Sequence, residues 1–225
     1  VSKGQQFWRT LWNEGRLPFH KDEVNEDLVR FFPLLNMPPN SRVLVPLCGK
    51  SVDMLWLVQQ GYQVIGIELV EKAVHEFAAE HSIDFKQERL GHTTRYFTDN
   101  LDVLVADIFT MDKSLIAPVD GIYDRGALVA LPGQLRPNYA DICMSWLKPN
   151  ASILLKTLEY DQRLMEGPPY SVSSEEVKQL YRGSTHIGLL KNQVRDPLST
   201  DHLFQRGVQN VRDFVWLIGQ FNIAL

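Results

Sequence analysis

Five short apolar runs are spaced along the first two thirds of the chain. They read "RVLVPL" (Arg42–Leu47), "QVIGIEL" (Gln63–Leu69), "DVLVADIF" (Asp102–Phe109), "GIYDRGAL" (Gly121–Leu128) and "SILLKTLEY" (Ser152–Tyr160). The first three are nearly continuous in Val, Ile and Leu, as a strand covered on both faces must be. Helical patterns lie between them. Ser51 is placed to cap a helix carrying Val52, Leu55 and Trp56 that ends before Gly61. A second helix is expected from about Val70 to His81, and a third from about Asn138 to Leu147, ahead of Pro149. Strand and helix alternating in this way mean βαβ units, hence an α/β fold with a doubly wound, mostly parallel sheet.

The flanks are different. Before the first strand, Phe7, Trp8, Leu11 and Trp12 share one helical face, and Leu28, Phe31, Phe32 and Leu35 share another. Residues 1–40 therefore read as an N-terminal helical extension on an α/β core at 41–225, all within one domain. In the last third, Ser173 and Glu176 form a capping box before a short helix. "THIGLLKNQV" and "DFVWLIGQF" then read as a closing pair of strands. Asp84–Asn100 and Gln162–Tyr170 are expected to be surface insertions. The length of 225 residues suits a single domain with a full core.

Composition removes several function classes. The formal net charge is −4, so there is no global basic field to hold nucleic acid. No apolar run reaches the ~18 residues of a membrane helix, and no leader-like apolar stretch opens the chain. Cys48 and Cys143 are far apart, form no CxxC pair and suit a reducing cytosol. The six histidines show no metal-ligand spacing, and no metal is expected.

The first strand runs into Gly49-Lys50-Ser51, the closing letters of a phosphate-binding loop. The leading glycine of that loop is missing: Leu44 stands there, and Pro46 removes an N–H donor. A dinucleotide turn needs three glycines, and here there is one. A nucleoside ligand without phosphates fits better. Glu68, nineteen residues after Gly49 at the end of the second strand, is placed to accept hydrogen bonds from ribose hydroxyls. Asp107, at the end of the third, is placed to approach an adenine amino group. Both are also acceptable as ordinary strand-end carboxylates. Acids at the carboxyl edge, with no arginine clamp for phosphate, suit S-adenosylmethionine.

"FWRTLWNEGRLPFH", "VLVPLCGKSVDMLWL", "GIEL" and "YDRGALVALP" together resemble the thiopurine S-methyltransferase family, particularly its bacterial branch. The resemblance is close over the first 160 residues and loose beyond. It implies a class I methyltransferase fold: a seven-stranded sheet with one antiparallel strand near an edge, the N-terminal helices forming a lid. It also implies S-adenosylmethionine as methyl donor, S-adenosylhomocysteine as product, and a cytoplasmic monomer acting on small thiols such as thiopurines. Selenium and tellurium compounds are further acceptors that the resemblance implies. For the cofactor it points to Trp12, Leu47, Glu68, Asp107, Ile108 and Arg125. For the acceptor it points to Trp8, Phe19 and Arg125, with Arg206 the candidate for a second substrate-side arginine. Mammalian relatives carry serine at the Asp107 position.

The residues admit plainer roles as well. Trp8 and Trp12 would serve as helix-packing residues, although a sulfonium is a cation and aromatic faces attract cations. Cys48 has no basic partner and reads as a small buried residue. Arg125 has Asp124 and Asp120 near it in sequence as ion-pair partners. No general base is assigned, because an aromatic thiol is largely thiolate near neutral pH, and in-line alignment of the reactants carries most of the task. The alternatives are a non-catalytic binder of the same cofactor, or a small-molecule methyltransferase with another acceptor. A nucleic-acid methyltransferase is disfavoured: Gly167-Pro168-Pro169-Tyr170 only imitates the required motif, and no basic groove is expected.

Overall fold

The computed structural model describes residues 3–197 and 202–219. Its elements run α1 (Lys3–Asn13), α2 (Glu26–Phe31), β1 (Arg42–Pro46), α3 (Asp53–Gln59), β2 (Gln63–Glu68), α4 (Glu71–His81), β3 (Lys86–Leu90), β4 (Thr93–Phe97), β5 (Leu101–Val105), β6 (Val119–Arg125), α5 (Arg136–Trp146), β7 (Leu147–Glu159), α6 (Ser174–Leu180), β8 (His186–Val194), α7 (His202–Gln205) and β9 (Arg212–Gly219). Among the described residues no helix is long and apolar enough to cross a membrane.

All nine strands form one sheet in the order β3-β4-β5-β2-β1-β6-β7-β9-β8. The expected seven strands are there: β5, β2, β1, β6 and β7 are mutually parallel, and β9 runs antiparallel between β7 and β8. The closing strand pair is β8 and β9; the last two residues of "DFVWLIGQF" lie outside the described residues. Two further strands come from the stretch expected to be a surface insertion. Within Asp84–Asn100, β3 and β4 form a hairpin that pairs antiparallel with β5 and buries Thr93, Thr94 and Tyr96. Its polar exposed side hid the alternation from the sequence.

Side chains alternate between two apolar layers. Leu44, Ile65, Ile67, Ile122 and Ile153 face one, and Val43, Val45, Val64, Tyr123 and Leu154 the other. The second layer receives Leu28, Phe31 and Phe32 from α2 and the turn Phe32–Leu35, with the Phe32 ring edge-on to Trp56, Tyr62 and Tyr123.

Two local expectations shift. The helix after β1 begins at Asp53 with Val52 at its N-cap, and Ser51 Oγ accepts the Asp53 N–H at 3.3 Å instead of capping from the expected position. In the capping box the Ser173 side chain accepts the Glu176 N–H at 3.1 Å. The Glu176 carboxylate does not return to Ser173; it pairs with Arg136 at 2.8 Å.

One feature of register positions the site. β1 pairs with β2 along its whole length, but with β6 only at Val43–Gly121 and Leu44–Ile122. Pairing with β6 has ended before Pro46, so the missing N–H of that residue breaks no bond on that side. Beyond it β1 and β6 part. Chain connections leave β1 toward β2 on one side and β6 toward β7 on the other, so the gap is the sheet's topological switch point, where ligands of open α/β folds bind.

Candidate active site

The turn after β1 is made by backbone conformation. Leu47 and Gly49 both have left-handed φ, +47° and +54°. For leucine this region is costly, and residues held there cluster at ligand sites. Cys48 N–H continues the ladder to Ile67 C=O at 2.9 Å. Its thiol is packed on Gly66, where an added Cβ would approach Cys48 Sγ to 2.7 Å. Burial first, and then the charge of Glu68, push the Cys48 thiol well above its usual range. Cys48 is a packing residue of the turn and carries no nucleophilic thiolate.

Glu68 closes the other side. It is buried, its Oε2 accepts the Gly49 N–H at 2.9 Å, and its Oε1 accepts the Val70 N–H at 2.7 Å. Burial raises its pKa, opposed by the N–H groups of Val70, Gly49 and Leu69 and by the charge of Arg9. Turn and acid are thus one hydrogen-bonded unit at the expected spacing. Each oxygen keeps further acceptor capacity for a diol.

Lys50 does not complete a phosphate loop. Its ammonium is buried against α4, paired with Glu80 and, at 3.2 Å, with Glu76. Burial would lower its pKa, but these two carboxylates outweigh that and raise it.

α1 lies across the carboxyl edge. Trp12 is 2% exposed, and its Cζ2 lies 3.4 Å from where a Gly49 Cβ would stand. Trp12 packs with Val70 and Ala73 of the α4 start, joined by Trp8 and Phe19. The Phe19 ring is edge-on to both, with centroids 5.5 Å from Trp8 and 6.1 Å from Trp12. Lys72 Nζ donates to Trp12 C=O at 2.9 Å and Asn13 C=O at 3.3 Å, satisfying the C-terminal carbonyls of α1. At the far end of α1, Gln5 Nε2 donates to Asp107 Oδ2.

Asp107 stands two residues past the end of β5, which stops at Val105, not in the strand as the sequence suggested. Its Oδ1 accepts the Phe109 N–H at 3.0 Å, shaping a turn. The Ile108 side chain belongs to the core.

Arg125 ends β6 on the opposite bank of the gap. Neither nearby aspartate takes it. Asp124 accepts the Leu128 N–H and the Tyr139 hydroxyl, and Asp120 accepts the Arg42 N–H and pairs with Lys148. The partner is Asp53 at the start of α3, 3.3 Å from Arg125 Nη1. Asp53 and Tyr123, whose hydroxyl donates to Asp53 at 2.9 Å, are the site-side groups that sequence reasoning missed. An acid in the first turn of a helix reads as a favourable charge at the macrodipole, and nothing in the spacing points to Arg125.

Between the loops after β6 and β7 lies an open cleft of about 550 Å³ with Arg136, Gln162, Tyr170 and Glu176 on its walls. Trp8, Phe19 and Arg125 do not line it. Arg206 lies at the edge of the Gln162–Tyr170 loop, its Nη1 3.5 Å from Pro168 C=O. Among the described residues no cluster of His, Cys, Asp and Glu is suited to a metal.

The arrangement is a single-glycine turn, a buried strand-end acid and an aromatic cover at a switch point. The chain as a whole matches known proteins in sequence and in fold. Residues 3–220 match the family described as thiopurine S-methyltransferase. The chain is 58% identical over 218 residues to the thiopurine S-methyltransferase of Legionella pneumophila (strain Corby), covering 97% of this chain and 99% of that one. It is 40% identical over 212 residues to that of Bordetella petrii, covering 94% and 96%. In fold it is similar to the 1,6-didemethyltoxoflavin-N1-methyltransferase of Burkholderia thailandensis, solved with 1,6-didemethyltoxoflavin and S-adenosylhomocysteine (TM-score 0.65, 16% identity, 97% of this chain and 87% of that one). It is likewise similar to the N-methyltransferase NodS of Bradyrhizobium japonicum with S-adenosylhomocysteine (TM-score 0.65, 12% identity, 98% and 100%). On these matches the chain belongs to the thiopurine S-methyltransferase family of S-adenosylmethionine-dependent methyltransferases.

Proposed function

We propose that this chain methylates the sulfur of aromatic or heteroaromatic thiols such as thiopurines, with selenium and tellurium species as further acceptors. The observation that carries the reading is the Gly49–Glu68 hydrogen bond at the switch point, beneath Trp12. The names of the relatives at 58% and 40% identity supply the thiol acceptor. When bound, S-adenosylmethionine supplies a methyl group on a positively charged sulfur. Glu68 would hold the ribose hydroxyls, and the Leu47–Gly49 backbone would border the methionine part. Asp107 and Ile108 would border the adenine, with Gln5 yielding its hold on Asp107. Trp8, Trp12 and Phe19 would exclude water and offer ring faces to the sulfonium. Arg125 would orient an anionic group of cofactor or acceptor through its planar fork. The chemistry then rests on alignment and water exclusion, and no general base is assigned.

In this reading α1 is a lid, and residues 1–40 form the helical extension that carries it. Hydrogen exchange in Lys3–Asn13 slows when S-adenosylhomocysteine is added; equal exchange with and without it removes the lid. The function itself is tested by calorimetry with S-adenosylhomocysteine, followed by transfer of labelled methyl to a panel of thiol and selenium acceptors. Micromolar binding, about −8 kcal/mol, with turnover of aromatic thiols is expected. Binding without turnover of any acceptor would leave a non-catalytic cofactor binder.

A further inference from the structure

Asp53 opens α3, just past the turn after β1, and it is 0% exposed. A carboxylate taken wholly out of water must find donors for its oxygens and a cation for its charge. Oδ1 accepts the Asn25 N–H at 2.8 Å, and Oδ2 accepts the Tyr123 hydroxyl at 2.9 Å. Both of those donors are neutral. The cation is Arg125, whose Nη1 stands 3.3 Å from Oδ2. Lys156, the partner of Arg125 across the β6–β7 ladder, is taken by Asp27 and is not shared with Asp53. The Arg125 contact engages Nη1 alone, which leaves Nε and Nη2 for another acceptor. The Arg125 side chain is 19% exposed, so part of it reaches solvent while its anchor is sealed below.

We infer that Asp53 is a positioning residue for methyl transfer. It holds Arg125 by one nitrogen and presents the rest of the guanidinium fork to an anionic group of the bound ligands. The inference rests on the role given to Arg125 under the proposed function. It makes Asp53 more than a knot between α3, β6 and the segment at Asn25. The planar guanidinium keeps its two remaining donors parallel, as paired recognition of a carboxylate requires, and the hold at one corner fixes their direction. A fork released from Asp53 would have to be ordered by the ligand at each turnover.

The test begins with Asp53→Asn, which keeps the shape and an oxygen for the Asn25 N–H but removes the charge. Asp53→Ser is made beside it, since serine tolerates the start of a helix and guards against a variant that fails to fold. In either variant kcat/KM for an aromatic thiol falls about tenfold. In the double variant Asp53→Asn/Arg125→Lys the loss is no larger than that of the worse single change, because both act through one contact. Losses that multiply would mean that Asp53 acts by another route and would overturn the inference.

A readout independent of turnover is the side-chain NMR of Arg125. Rotation of its guanidinium is restricted in the wild type and free in Asp53→Asn. Free rotation in the wild type sinks the inference with no variant needed. If the wild type methylates no thiol yet the guanidinium is released by Asp53→Asn, the acceptor assignment has failed and the positioning stands. If thiols are methylated and Asp53→Asn matches wild type, the reverse holds.

Discussion

The two banks of the switch-point gap are built differently. On the β1–β2–β5 bank, the bonds that shape the site are mostly short in sequence. Glu68 reaches Val70 two residues on and Gly49 nineteen residues back, and Asp107 reaches Phe109 two residues on. The donors are backbone N–H groups. On the β6–β7 bank, the bonds join side chains from distant segments. Arg125 meets Asp53 across 72 positions, Arg136 meets Glu176 across 40, and Asp27 gathers Lys156 and Lys191 across 129 and 164. A turn stitched to its own acid is specified by a short motif. A bank held by long-range ion pairs is specified only once the chain has folded. The first design fixes its geometry locally, and the second leaves a bank whose loops can vary.

The sharpest way to break this comparison is to remove Asp27. It is buried, and its two lysines are partly enclosed beside it. Asp27→Ala leaves Lys156 without its acid and Lys191 with only the longer contact to exposed Glu26, and a loss of about 3 kcal/mol in urea unfolding is expected. Burial pushes the Asp27 carboxyl up, but Lys156 and Lys191 outweigh that and hold it below the usual range. Its stabilisation is therefore present above the unfolded-state pKa and lost as pH falls through the lower folded value. A loss well under about 1 kcal/mol would class the pairs with surface bridges of little weight and would dissolve the contrast between the banks.

On the other bank the expected effect is on ligand, and it is next in size. Charge-assisted hydrogen bonds contribute about 1.5–3 kcal/mol, so Glu68→Gln weakens S-adenosylhomocysteine about tenfold and Glu68→Ala more. Calorimetry on folded variants reads this directly. Wild-type affinity in both would make Glu68 a clasp for the turn and nothing else.

What could be read from sequence follows the same division. Glu68, Gly49 and the flanking strands were legible because a buried parallel strand and a glycine turn each leave a local pattern. Trp12 was legible as a candidate, but its seat on Gly49 was not, since it depends on how α1 docks. Asp53 was invisible: an acid opening a helix is common, and its partner lies 72 residues away. Arg125 is legible as a candidate, yet the aspartates nearest to it in sequence, Asp124 and Asp120, point to Tyr139 and Lys148 instead. The β3–β4 hairpin was missed because a half-exposed edge hairpin rich in charge and threonine resembles a loop.

A smaller effect tests Asp124, which joins the loop after β6 to α5. Burial raises its carboxyl to about 6, opposed by the Tyr139 hydroxyl and the N–H groups of Leu128 and Ala127. Because its folded value lies above its unfolded one, its contribution is fully present below the unfolded pKa and is lost as pH rises through about 6. Stability from this group therefore increases by about 1 kcal/mol between about pH 7.5 and about pH 5. Asp124→Asn removes that slope. The difference between the two unfolding curves isolates it from Asp27 and Asp120, whose depressed values act in the opposite sense. Parallel curves would mean that Asp124 does not titrate in this range.

The smallest expected effect decides what the turn is for. In a phosphate loop the lysine after the glycine points at phosphate, and its removal abolishes binding. Here Lys50 is turned away from the gap and tied to Glu80 and Glu76 of α4. Those acids are on the part-exposed side of α4, so water takes over much of their solvation once the ammonium is gone. Lys50→Met should therefore cost stability by about 1 kcal/mol or less. Its methylene stem is kept, so packing beside the turn is largely preserved. Affinity for S-adenosylhomocysteine should stay within about twofold of wild type, and neither protein should bind ATP with comparable strength. A tenfold loss of S-adenosylhomocysteine would put Lys50 at the ligand and make the β1–β2 bank depend on a side-chain cation after all. ATP binding that vanishes in Lys50→Met would go further and give the Gly49-Lys50-Ser51 turn the phosphate role that its missing glycine argues against.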